Sequence, residues 1–128
     1  MSEYLFTYGT LRLGQSHPMA DYLAKNAELV GLAMLPKSKL YRIDWYPALI
    51  QTQDESDEVI GDLFRLKNDE ALVKIDEYEG IGEPPYEYRR ELVHVKTEVN
   101  DLESWVYFYN IPLPENAELI TSGDFLNP

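Results

Sequence analysis

The sequence contains no cysteine. Disulfides, thiolate nucleophiles and cysteine-built metal sites are thereby excluded. Cations are scarce: 11 lysines and arginines stand against 23 aspartates and glutamates, a formal net charge of −12. Nucleic-acid binders draw much of their affinity from neutralising phosphates, and anionic membrane surfaces attract basic segments, so no nucleic-acid and no membrane partner is expected. No apolar run approaches the roughly 20 residues that span a bilayer. Met1-Ser2-Glu3 lacks the basic region and following apolar stretch of a signal peptide, which leaves the cytoplasm as the default location. The two histidines, His17 and His94, have no metal-ligand partner at close spacing and read as structural or solvent-facing.

What is present suits one compact domain over residues 1–128, with 45% hydrophobic and 27% charged residues. Strand signals dominate: Tyr4 to Tyr8, Glu28 to Leu35, Lys39 to Ile43, Tyr46 to Gln51, Glu58 to Leu66, Tyr86 to Val99 and Ser104 to Ile111. Thr52 to Glu58 reads as a solvated loop, and Gly61, inside its strand, marks a bulge or a close backbone approach. A short helix is expected around Pro18. A second should run from Asp69 to Tyr78, capped by Asn68, with Asp69 and Glu70 in its favourable first turn. Helices of βαβ length do not intervene between strands, so the fold class is α+β: a mostly antiparallel, barrel-like sheet with one or two helices.

Two places carry possible chemistry. Taken at about 100° per residue, the second helix gathers Ala71, Leu72, Ile75 and Tyr78 on one side; Glu79 falls in that arc, Asp76 at its edge and Glu77 opposite. Glu79 is then either a carboxylate in an apolar surround, its pKa raised toward proton transfer, or the frayed end of a helix swinging into water. The other place is Tyr8-Gly9-Thr10-Leu11, where a strand ends in a glycine loop. Such a loop is either a plain turn or a set of backbone N–H groups presented to an anion or a developing oxyanion. It is not a phosphate loop, since no Lys-Ser/Thr pair follows. The tyrosines read mostly as packing, with hydroxyls able to meet a polar substrate where they reach a cavity.

Read in order, "YGTL" at Tyr8, "YPAL" at Tyr46, "GDLFRL" at Gly61, "IDEYEG" before "YEYRRELVHV", "VYFY" and "SGDF" at Ser122 resemble the γ-glutamylcyclotransferase-like superfamily, in particular its AIG2-like and γ-glutamylamine branch. The resemblance spans essentially the whole chain. It implies a small mixed β-barrel flanked by short helices, with the substrate pocket at one end. It implies substrate binding by Tyr8, Gly9, Thr10 and Leu11, by Tyr88 and Arg90, and by Tyr107, with Arg89 an alternative to Arg90. Glu79, just before the glycine of "YEG", takes the place of the catalytic acid/base. The implied reaction cyclises a γ-glutamyl amide or amine to 5-oxoproline and releases the amine, with no metal or cofactor and with a small-molecule γ-glutamyl substrate as partner. The alternative is a non-catalytic module of the same fold that binds a small metabolite.

Overall fold

The computed structural model describes residues 3–12, 14, 15, 17–43, 46–78 and 87–128. Ten elements follow one another: β1 (Tyr4–Thr7), α1 (Pro18–Asn26), β2 (Ala27–Pro36), β3 (Ser38–Arg42), β4 (Pro47–Gln51), β5 (Glu58–Leu66), α2 (Asp69–Tyr78), β6 (Tyr88–Lys96), β7 (Asp101–Tyr109) and β8 (Glu118–Leu119).

Five strands close a barrel in the order β1-β5-β2-β6-β7. Its pairings are antiparallel except where β1 meets β7 in parallel, with Leu5 opposite Trp105. The barrel is therefore mixed and mostly antiparallel, and two helices flank it, in agreement with the expected α+β class. The sequence reading treated all strands as one sheet, and that is corrected here. β3 and β4 leave the barrel and form a separate sheet with β8, in the order β4-β3-β8. Gly61 marks a close approach rather than a bulge, because a Cβ there would lie 2.1 Å from the Thr7 carbonyl oxygen. The register slip falls on β2, between Leu29 and Gly31.

Alternation on the barrel strands supplies two hydrophobic clusters. Leu5 and Phe64 join one that takes in Leu23 of α1 and Ala71 and Ile75 of α2. Phe6 and Leu63 join the other, with Leu40 and Leu49 of the small sheet. Strands buried on both faces lose their polar alternation, which is why "YLFT" is nearly all apolar. A buried leucine or phenylalanine contributes about 1.5–3 kcal/mol, so these clusters are the main force fixing where each strand ends.

Local signals set the helices. His17 caps α1, its Nδ1 accepting the Met19 amide at 3.1 Å, with Pro18 in the first turn. Asn68 caps α2 through Oδ1, which accepts the Ala71 amide at 2.9 Å. Ala71 and Ile75, four residues apart, form the buried stripe of α2, and Glu77 is exposed on its far side.

Candidate active site

β1 is followed by a turn, Gly9 to Arg12, closed by the Arg12 amide donating to the Gly9 carbonyl at 3.0 Å. Gly9 does not need a positive φ. It needs to lack a side chain, because a Cβ would stand 2.6 Å from Cγ of Pro47, at the start of β4. Behind the turn, Arg12 is 5% exposed, and its guanidinium donates to Asp124 Oδ1 at 2.6 Å and to Asp62 at 3.4 Å. The loop is thus pressed on one side by a proline ring and held on the other by a buried ion cluster. Among the described residues, the amides of Gly9, Thr10 and Leu11 donate to no protein acceptor.

Tyrosines build the walls around this loop. Tyr8 Oη donates to the Tyr107 carbonyl at 2.5 Å, and Tyr88 Oη to the Pro47 carbonyl at 2.8 Å. Tyr46 Oη donates to the carboxylate of Glu87. His17 uses Nδ1 as an acceptor, so in its neutral form Nε2 carries the proton and donates to Tyr78 Oη at 3.2 Å. Tyr78 Oη also shares a hydrogen bond with Thr10 Oγ1 at 3.1 Å. These groups enclose a cleft of about 140 Å³ between the Tyr8–Leu11 loop, Tyr46-Pro47, the end of α2 and the start of β6. Glu87 is the charged side chain among its described lining.

A second polar cluster adjoins the cleft. On the β6–β7 ladder Arg90 stands opposite Tyr107. Both reach Asp76 of α2: Tyr107 Oη donates to Oδ1 at 2.6 Å and Arg90 Nη1 to Oδ2 at 2.5 Å, while the guanidinium lies 4.5 Å over the Trp105 ring. The phenol of Tyr109 is held above its ordinary pKa, chiefly by burial and also by the Glu87 carboxylate. Among the described residues no three His, Asp or Glu side chains converge to hold a metal ion, and no helix is long and apolar enough to cross a membrane.

The candidates from the sequence thus divide. Tyr8, Gly9, Thr10, Leu11, Tyr88 and Tyr107 come together along one cleft. Arg90 does not line it and connects to it through Asp76 and Tyr107. Arg89 points elsewhere, to Glu91 and to Gln51. Glu79 lies outside the described residues. Asp76, Glu87 and Tyr78 were not singled out as site residues; the edge position of Asp76 on the helix wheel was the one visible hint.

A small mixed barrel, opening at one end on a glycine loop and a wall of tyrosines, defines a compact class of cleft-bearing β-barrel proteins. The sequence profile described as gamma-glutamyl cyclotransferase, AIG2-like, matches residues 5–127, and the chain belongs to that family. A protein of Methanocaldococcus jannaschii, provisionally named a gamma-glutamylcyclotransferase, is 29% identical over 125 residues, spanning 96% of this chain and 95% of its own. A Vibrio cholerae protein with the same provisional name is 30% identical over 125 residues, covering 98% of this chain and 96% of its own. The crystal structure of a mouse AIG2-like protein shares the fold with a TM-score of 0.72 at 23% identity, over 88% of this chain and 80% of that one.

Proposed function

We propose that this chain is a cytoplasmic γ-glutamyl cyclotransferase that converts a γ-glutamyl amide into 5-oxoproline and a free amine. The observation that carries this reading is the Gly9–Leu11 turn, which lines the cleft and whose amides donate to no acceptor among the described residues, in a chain matched by the family over residues 5–127.

The chemistry needs little from the protein. A γ-glutamyl compound carries its own nucleophile, the α-amine, placed to close a five-membered ring on the γ-carbonyl. The α-ammonium sheds two protons as its nitrogen becomes the ring amide, and the departing amine gains two as the γ-carbon–nitrogen bond breaks. Proton transfer therefore balances within the reaction and no water is consumed. Glu79 is assigned to carry those protons, as general base toward the α-ammonium and general acid toward the leaving nitrogen. The amides of Gly9 to Leu11 receive substrate oxygens and stabilise the tetrahedral intermediate, an effect worth about 10²–10³ in rate per well-placed donor. Asp76 and Arg90 act as positioning residues, tying α2, which leads directly to Glu79, to Tyr107 on the cleft wall.

Purified protein incubated with γ-glutamyl compounds, with 5-oxoproline read by mass spectrometry, tests the reading. Glu79→Gln is expected to abolish release while a ligand still binds by calorimetry, and Glu77→Gln, on the exposed face of α2, to retain it. Binding without release in the native protein would favour the metabolite-binding module. Full release by Glu79→Gln would remove that residue from its role.

A further inference from the structure

Resting on the cyclotransferase reading above, we propose that His17 is a positioning residue for turnover. Besides capping α1, it acts through Tyr78 to hold the Gly9–Leu11 loop and Glu79 at a fixed spacing.

Histidine is an unusual helix cap, a place where serine, threonine, asparagine and aspartate are favoured. Capping uses one ring nitrogen, since Nδ1 accepts the Met19 amide at 3.1 Å. The backbone of His17 is fixed as well: its amide donates to the Gln15 carbonyl at 2.9 Å, and its carbonyl accepts the Asp21 amide at 3.1 Å. The imidazole is thus held in a tautomer that turns the Nε2 proton toward another element. That element is α2. Nε2 donates to Tyr78 Oη at 3.2 Å, and the two rings meet edge to face with centroids 5.0 Å apart.

Tyr78 sits where the parts of the site join. It is the last residue of α2 and immediately precedes Glu79 in the chain. It lines the cleft, and His17 is not among the described lining residues. Its hydroxyl lies 3.1 Å from Oγ1 of Thr10, inside the Gly9–Arg12 turn. One oxygen therefore ties the loop that carries the amide donors to the helix end that leads to the acid/base, and His17 fixes that oxygen. Asp76 fastens α2 to the β6–β7 wall; His17 and Tyr78 fasten it to the loop. In the cyclisation, base and amide donors act on atoms of one small ring. An error in their spacing then costs more in the transition state than in ground-state binding.

Two substitutions separate the two nitrogens. In His17→Asn the side-chain oxygen takes the place of Nδ1 and caps α1, but the side chain is too short to reach Tyr78. In His17→Gln the amide nitrogen takes the place of Nε2, and the cap is lost. The test is release of 5-oxoproline from the γ-glutamyl amides of butylamine and of alanine, read beside thermal melts. His17→Asn is expected to lower kcat about tenfold, with KM within about twofold of native and a melting temperature close to native. His17→Gln should restore most of that turnover while melting about 3–5 °C lower. Tyr78→Phe should lower kcat at least as far as His17→Asn, and the double variant no further than Tyr78→Phe alone, because both act on one contact. Native kcat in His17→Asn, or turnover that follows melting temperature across the pair, would make His17 a helix cap only and overturn the proposal. Additive losses in the double variant would overturn the path through Tyr78. No release by the native protein from either amide would overturn the cyclotransferase reading and this proposal together.

Discussion

Two arginine–carboxylate clusters stand near the cleft, and they differ in a way that separates architecture from chemistry. Behind the Gly9 turn, the side chains of Arg12 and Asp62 are 6% and 10% exposed, and Asp124, at 14%, completes a set of two acids around one guanidinium. On the other side, the side chains of Arg90 and Asp76 keep 26% and 20% of their exposure, and Asp76 also receives the Tyr107 hydroxyl. The first cluster is sealed and touches the site only through the backbone of the loop it anchors. It also ties down the C-terminal segment, since Asp124 follows the Gly123 carbonyl that accepts from Ile60 on β5 at 2.8 Å. The second is half open, and it joins a helix end to a residue of the cleft wall. Similar ion pairs therefore serve two ends: one fixes where the loop sits, the other fastens the end of α2 to the cleft wall.

Breaking the sealed cluster should have the largest effect on stability. Arg12→Met removes the guanidinium from the buried Asp62 and the part-buried Asp124 and is expected to cost about 3–5 kcal/mol, measured as a shift in the urea midpoint. Breaking the half-open cluster should leave stability nearly intact and act on turnover. Asp76→Asn is expected to lower kcat by roughly tenfold to a hundredfold, with a melting temperature close to native. Arg90→Lys keeps the charge but loses the planar stack over Trp105, and should fall between Asp76→Asn and the native protein. A loss of stability in Asp76→Asn as large as that in Arg12→Met would erase the distinction.

Gly9→Ala lies between the two regimes. Its added Cβ meets the Pro47 ring, so it is expected to lose about 1–3 kcal/mol of stability and kcat/KM together, read by thermal melts beside kinetics. The smallest effect concerns acid. Burial pushes the Asp124 carboxyl up, but the Asn127 side chain, the Leu126 amide and the Arg12 guanidinium outweigh it and hold the pKa below its ordinary value of 3.8. A carboxyl depressed in the folded state contributes stability above its unfolded pKa and loses that contribution as pH falls through the folded one. Asp124→Asn should therefore flatten the loss of stability below about pH 4, seen as a smaller drop in urea midpoint between pH 5 and pH 3.

The elements whose signals are local were legible in the sequence. Asn68, Asp69 and Glu70, with Ala71 and Ile75 one turn apart, mark α2 at the bounds it takes. Pro18 marks the first turn of α1. The division into two sheets was not legible. β3 and β4 carry the same apolar content as barrel strands, and their separation depends on long-range pairing, with Tyr41 opposite both Ala48 and Leu119. β8, two residues long, carries no pattern to read.

The site follows the same logic. A glycine just past a strand marks the loop, although the reason for that glycine is Pro47, which is 38 residues away in the chain. Alternation places Arg90 on the same face as Tyr88. Two residues along a strand carry it roughly 6.6 Å further, past the cleft and onto Asp76. Asp76 emerges only when the β6–β7 register sets Arg90 opposite Tyr107 beneath α2. Glu87 precedes β6 and belongs to no periodic pattern, so only the assembled cleft reveals it.

The central claim is that the substrate's own α-amine, and not water, cleaves the γ-glutamyl bond. Running the reaction in ¹⁸O-labelled water and analysing the products by mass spectrometry tests it most directly. The account expects 5-oxoproline free of the label from the first turnovers. Glutamate bearing one ¹⁸O as the initial product would mean hydrolysis, and would contradict it.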